Sequence, residues 1–255
     1  MMSARPLKPI ISPARFDAVL FDLDGVITGT DRNHFAAWKK LFDPYLEARA
    51  RRDGTAFRAF SEDDMANYVD GKLRYEGVRS FLGTRGIVLP EGDPDDSEDR
   101  ETVCGLGNRK GRYVIESIRA EGVTVFEGSV AVLRALRTLG IRCAVVSSSR
   151  SCRWVLKIAN LESLIDVRFD GLNALGLHLV GKPNPDTYLK AAEWVGVEPA
   201  RAVVVEDAIS GVRAGRAGGF GLVVGVDRTG IAAALSDNGA DIVVKDLAEL
   251  LADET

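Results

Sequence analysis

Cysteine is scarce in this chain: three residues in 255, Cys104, Cys143 and Cys152, an odd number in no metal-binding spacing. That leaves out a disulfide-stapled scaffold and points to reduced thiols and a cytoplasmic protein. Long hydrophobic runs are absent too. Nothing approaches the ~18 apolar residues of a membrane span, so no membrane partner is expected. The opening MMSARPLKPIISPAR is basic but lacks the apolar centre of a signal peptide, and residues 1–15 are expected to be a disordered tail. Charge of one sign is also missing. The 33 basic and 37 acidic residues leave a net charge of −4, which gives no bulk attraction for nucleic acid. There is no internal repeat, and a monomer is expected.

What is present is an ordinary globular composition, 46% hydrophobic and 27% charged. A chain of this length buries roughly three quarters of the surface it exposes when unfolded, so its core needs no staples. AVLF (18–21), RCAVV (142–146), AVVVE (202–206), FGLVVGV (220–226) and DIVV (241–244) are nearly continuous apolar runs, as strands covered on both faces should be. SVAVLRALRTLG (129–140), with Ser129 as its cap, and NPDTYLKAAEWVG (184–196), with Pro185 in its first turn, are helical in spacing. The alternation predicts an α/β core with a Rossmann-like parallel sheet. Residues 31–116 break the rhythm: they are helix-rich, without a convincing strand, and carry an acidic loop, EGDPDDSEDRE (91–101), expected to be solvated and mobile. They predict an inserted helical domain, with 16–30 and 117–255 forming the core.

In a parallel sheet, ligands bind beyond the carboxyl ends of the strands. After the first predicted strand come Asp22 and Asp24; after the second, SSSRS (147–151); after the third, Glu206 and Asp207, preceded by GKPNPD (181–186). Four acids at one edge repel one another unless a cation or shared proton compensates. Mg²⁺ fits, being a hard ion that takes a few carboxylates, waters and substrate phosphate. Asp22, Asp24, Glu206 and Asp207 are the candidate ligands. Ser147, Ser148, Ser149, Arg150 and Ser151 form a hydroxyl-rich helix entrance suited to phosphate, and Lys182 would neutralise it. The set reads as phosphoryl transfer. Asp22 is the candidate nucleophile, forming a phosphoaspartate, and Asp24 the acid and then base. Gly25 permits a sharp turn beside them.

These residues resemble the four motifs of the haloacid dehalogenase superfamily: DLDGV with Asp22 and Asp24, Ser147 ending a hydrophobic strand, Lys182, and EDAISG with Glu206 and Asp207. The resemblance covers nearly the whole chain. The insertion resembles the helical cap of the β-phosphoglucomutase-like subgroup, and DLDGVITGTDRNHFAAW, with Thr30, His34 and Trp38, resembles its opening segment. DGKLR (70–74) is similar to its specificity loop, which implies that Gly71, Lys72 and Arg74 contact substrate, Arg74 at the phosphate not being transferred. GNRKGRY (107–113) nominates Lys110 in the same way. His34 is either an ordinary histidine of the hinge or a support for Asp24. The resemblance implies a small phosphorylated sugar as partner and an Mg²⁺-dependent mutase as the activity. A sugar-phosphate phosphatase is the alternative, and a non-catalytic binding module a distant one. Two departures stand out: Gly29 replaces an acid at the hinge, and Gly111 replaces a polar residue.

Overall fold

The computed structural model describes residues 7–252. They divide into two compact units, one taking in the described residues up to Gly29 and from Thr124 onward, the other Thr30–Val123.

The first unit is built on six strands, β1 (Ala18–Phe21), β2 (Arg142–Val146), β3 (Val167–Phe169), β4 (Ala202–Glu206), β5 (Leu222–Val226) and β6 (Ile242–Val244). All pair in parallel, in the order β3-β2-β1-β4-β5-β6. The central strands β1 and β4 are buried along their whole length, which explains their unbroken apolar sequence. Strand order reverses between β1 and β4, and this switch point is where a parallel sheet opens a crevice. β3 escaped the sequence reading because it has three residues, the middle one Arg168, and lies at the sheet edge, half-buried.

The second unit is helical: α1 (Asp31–Asp53), α2 (Glu62–Asp64) running into a π-helical turn at Met65–Val69, α3 (Arg74–Thr84) and α4 (Val103–Glu121). It has its own core. Phe42 stacks on Trp38 at 5.1 Å and meets Phe81 at 4.3 Å, while Phe60 stands edge-on to Phe81 at 4.9 Å. Such rings dominate the burial energy of a small unit. Helix α4 carries on past the expected boundary at 116 and stops at Gly122, whose φ of +78° suits glycine. The acidic loop is tied down rather than merely solvated. The buried carboxylate of Asp96 accepts from Thr102 Oγ1 at 2.7 Å, the Asp93 amide at 3.1 Å and Arg100 at 2.8 Å.

The sheet unit continues through α5 (Glu127–Thr138), α6 (Cys152–Ile158), α7 (Gly171–Gly176), α8 (Asp186–Val195), α9 (Ile209–Ala217) and α10 (Ala232–Asp237). Ser129 lies inside α5 instead of capping it, and its hydroxyl donates to the buried Val26 carbonyl at 2.6 Å. Nor are residues 7–15 a loose tail. Leu7 forms a bridge with Leu251, the Lys8 amide donates to Leu250 O at 2.8 Å, and Ile11 is buried; the rest of the expected tail lies outside the described residues.

Candidate active site

Asp22 follows β1 directly, and its amide extends the ladder by donating to Val205 O at 2.9 Å. The chain then closes a small ring. The Gly25 amide donates to Thr28 O at 2.6 Å, and the Ile27 and Thr28 amides both reach Leu23 O. Gly25 has φ +94°, and a Cβ there would fall 1.8 Å from Asp207 Oδ2. Only glycine lets the Asp207 carboxylate lie against this turn. Asp24 accepts from Ser147 Oγ at 3.2 Å, so β1, β2 and β4 bring Asp22, Asp24, Ser147 and Asp207 to one edge.

The centre of the arrangement is Lys182, 1% exposed. Its ammonium donates to Asp22 Oδ1 at 2.5 Å, Glu206 Oε1 at 2.5 Å and Val146 O at 3.2 Å. Burial works against this charge, but Asp22 and Glu206 outweigh it and hold the Lys182 pKa above its ordinary value. Burial pushes the Asp22 carboxyl well above the usual carboxylate range; Lys182 opposes that shift, and the charges of Glu206 and Asp24 reinforce it. One buried cation thus serves two buried carboxylates, with Asp24 and Asp207 close by.

Glu206 has partners besides Lys182. Its Oε1 also accepts from the Tyr188 hydroxyl at 2.8 Å, and its Oε2 from the Asp207 and Ala208 amides at 3.1 and 3.2 Å. Each of its carboxylate oxygens thus accepts two hydrogen bonds, and in this arrangement Glu206 anchors Lys182. Tyr188 was not foreseen. The only signal for it was its place six residues past Lys182, on the buried face of the first turn of α8.

The phosphate-loop candidates are also partly committed. The Ser149 amide donates to Ser147 Oγ at 3.0 Å and the Ser151 amide to Ser149 Oγ at 3.2 Å. These successive hydroxyl-to-amide turns shape the segment between β2 and α6. Ser147, Ser149 and Ser151 are buried, whereas Ser148 and Arg150 are half-buried.

A divalent cation suits this edge by its donors. Asp22, Asp24 and Asp207 are hard oxygen ligands, and the acidic excess that raises the Asp22 pKa is the excess a cation would relieve. The side chains do not form a finished cage: among the described residues, no three acidic, histidine or cysteine side chains converge as a metal site.

In the helical unit, the structure gathers Lys110, His34 and Trp38. The buried Lys110 Nζ lies 3.0 Å from His34 Nδ1 and 4.6 Å from the Trp38 ring centre. Arg74 opens α3, and its guanidinium rests against Gly111, where a Cβ would meet it at 2.6 Å. A residue larger than glycine at 111 would displace Arg74. Lys72 turns back to donate to Ser80 Oγ at 2.6 Å, and Gly71 takes φ +71°. At Gly29 a Cβ would make ordinary contact with Thr124 at 3.4 Å, so steric demand does not explain the glycine.

A parallel sheet with two acids after its first strand, a buried lysine and a paired anchor after its fourth defines a phosphotransferase-type site. The family model for haloacid dehalogenase-like hydrolases matches residues 16–219, and the chain belongs to that family. A β-phosphoglucomutase of Mycobacterium bovis is 51% identical over 243 residues, covering 94% of this chain and 93% of that one. A solved β-phosphoglucomutase of Clostridium difficile shares the fold, with a TM-score of 0.72, 24% identity, and coverage of 92% of this chain and 93% of that one. A family hydrolase of Deinococcus radiodurans, solved with bound phosphate and sodium, is 30% identical at TM-score 0.60 and covers 93% of this chain and 94% of its own.

Proposed function

We propose that this protein is a β-phosphoglucomutase working through a phosphoaspartate on Asp22. The observation that carries the chemistry is the contrast between two neighbouring carboxylates. Asp22 is buried against Lys182, whereas Asp24 is half-buried and accepts from the Ser147 hydroxyl. Different surroundings suit different tasks. The phosphoryl group on Asp22 passes to O6 of β-glucose 1-phosphate while Asp24 takes the O6 proton. Asp22 then attacks the 1-phosphate of the resulting bisphosphate, and Asp24 returns the proton to the departing O1, leaving glucose 6-phosphate. Lys182 aims Asp22 and opposes the rise that burial gives its pKa, and Ser147 with Ser148, Ser149, Arg150 and Ser151 binds the transferring phosphoryl oxygens. Mg²⁺, held by Asp22, Asp24 and Asp207, would supply positive charge to those oxygens.

For substrate, the reading draws on the mycobacterial relative and on Arg74, Lys110, His34, Gly71 and Lys72 as sugar-phosphate ligands. A mutase needs a grip on the phosphate that is not moving, and the guanidinium of Arg74 offers a two-pronged one. The test is a product assay with β-glucose 1-phosphate, Mg²⁺ and a trace of β-glucose 1,6-bisphosphate. Glucose 6-phosphate is the expected product. Inorganic phosphate without glucose 6-phosphate would replace the mutase with a phosphatase. Arg74→Ala is expected to lower mutase turnover far more than hydrolysis of a small aryl phosphate.

A further inference from the structure

The turn that carries Asp24 leaves two buried carbonyls pointing out of its ring, those of Gly25 and Val26. A buried carbonyl without a donor is costly, so the groups that reach these two are informative. One is Ser129, at Val26 O. The other comes from 203 residues along the chain. Arg228 follows β5, and its Nε donates to Gly25 O at 2.9 Å while Nη2 reaches Val26 O at 3.4 Å. Its third nitrogen, Nη1, donates to Lys245 O at 3.1 Å and approaches Asp246 Oδ2 at 3.4 Å. The guanidinium plane lies over the Phe126 ring, 3.7 Å from its centre, and the side chain is 16% exposed. Phe126 is itself paired with the turn, its amide donating to Ile27 O at 3.0 Å.

Gly25 is the residue in this turn whose backbone can most readily rotate, because glycine at φ +94° has no side chain to define its basin. A change in the Gly25 backbone dihedrals would swing the preceding Asp24 relative to Ser147, from whose hydroxyl it accepts at 3.2 Å. The rigid fork of Arg228 blocks that rotation by holding the carbonyl on one side and Asp246 on the other, a geometry a point-charge lysine cannot reproduce. Building on the role given to Asp24 above, we infer that Arg228 is a positioning residue for the proton-transfer carboxylate: it fixes the turn so that Asp24 meets the sugar oxygen.

The inference has a chemical signature. Cleaving a sugar phosphate expels a basic hydroxyl oxygen and needs a proton from Asp24, whereas acetyl phosphate expels acetate, which leaves without one. The experiment measures phosphoenzyme formation by rapid quench from β-glucose 1,6-bisphosphate and from acetyl phosphate, and compares the two rates. In Arg228→Lys the ratio of the bisphosphate rate to the acetyl phosphate rate is expected to fall at least tenfold. Rates that fall together, or an unchanged ratio, would overturn the inference. Arg228→Gln is the second variant should the lysine form fail to fold. Asp24→Asn is measured alongside: if it lowers the ratio and the Arg228 variants do not, only the role of Arg228 falls. If Asp24→Asn leaves the ratio unchanged, the role of Asp24 falls and the inference with it.

Discussion

The Tyr188 hydroxyl donates to Glu206 Oε1 at 2.8 Å, the same oxygen that accepts from Lys182 at 2.5 Å. Both partners are buried, and burial followed by the Glu206 charge raises the Tyr188 pKa well above its ordinary value. Its proton therefore stays on the hydroxyl across the working range, and the bond is a standing one. Tyr188→Phe removes it while keeping the ring. Hydrogen bonds to a charged acceptor contribute about 1.5–3 kcal/mol, so a stability loss of that size is expected in denaturant titrations. Turnover should fall by roughly the tenfold that ~1.4 kcal/mol represents, with KM for the sugar phosphate little changed.

Lys182→Met should cost far more. It leaves Asp22 and Glu206 buried without their shared cation, and breaking a buried pair on one side costs about 3–5 kcal/mol. The Asp22 carboxyl, already raised by burial, would lose the Lys182 charge that opposes the rise and would hold its proton in the folded protein at pH values where the unfolded chain has released it. The loss is therefore largest at neutral pH and shrinks as pH falls toward about 4, the unfolded carboxyl range. Urea melts at pH 7 and pH 5 test this; an equal loss at both would contradict it.

Asp22→Asn should abolish phosphoenzyme formation and yet stabilise the fold when divalent cations are chelated. The folded Asp22 pKa is raised, so the stability linked to it is full below the unfolded pKa and is lost as pH rises through the folded one. The amide carries no such charge. At pH 7 the variant should melt a few degrees above the parent protein, a gap that closes toward pH 4. Added Mg²⁺ should raise the melting temperature of the parent more than that of the variant.

The thiols should be inert in the folded state. Burial pushes Cys143 up to about 12, and the wholly buried Cys152 is raised well above its ordinary value, mainly by burial and then by Asp24. At pH 8 a group at pKa 12 is thiolate in about one molecule in 10⁴, and the thiolate is the reactive form. Iodoacetamide at pH 8 should leave all three buried cysteines unmodified, and all three should react in guanidinium chloride.

Strands β1, β2, β4, β5 and β6 were legible because burial on both faces writes itself as consecutive apolar residues, and the acids that follow β1 and β4 were legible because they interrupt such runs. β3 was not, since an edge strand of three residues with Arg168 in its middle has no such pattern. The acid–lysine set could be read as chemistry, but not which acid the backbone would claim. The amides of Asp207 and Ala208 fasten the Glu206 carboxylate, and no local pattern announces it. Arg228 was invisible for the same reason: its partners, Gly25, Phe126 and Asp246, come from three distant parts of the chain.

The aromatic cluster of Trp38, Phe42, Phe60 and Phe81 lies wholly within the inserted residues. A chain with two hydrophobic centres can open one of them locally before the other. Change in those rings is therefore expected to act first on the packing of the insertion itself, and so on how firmly it is folded.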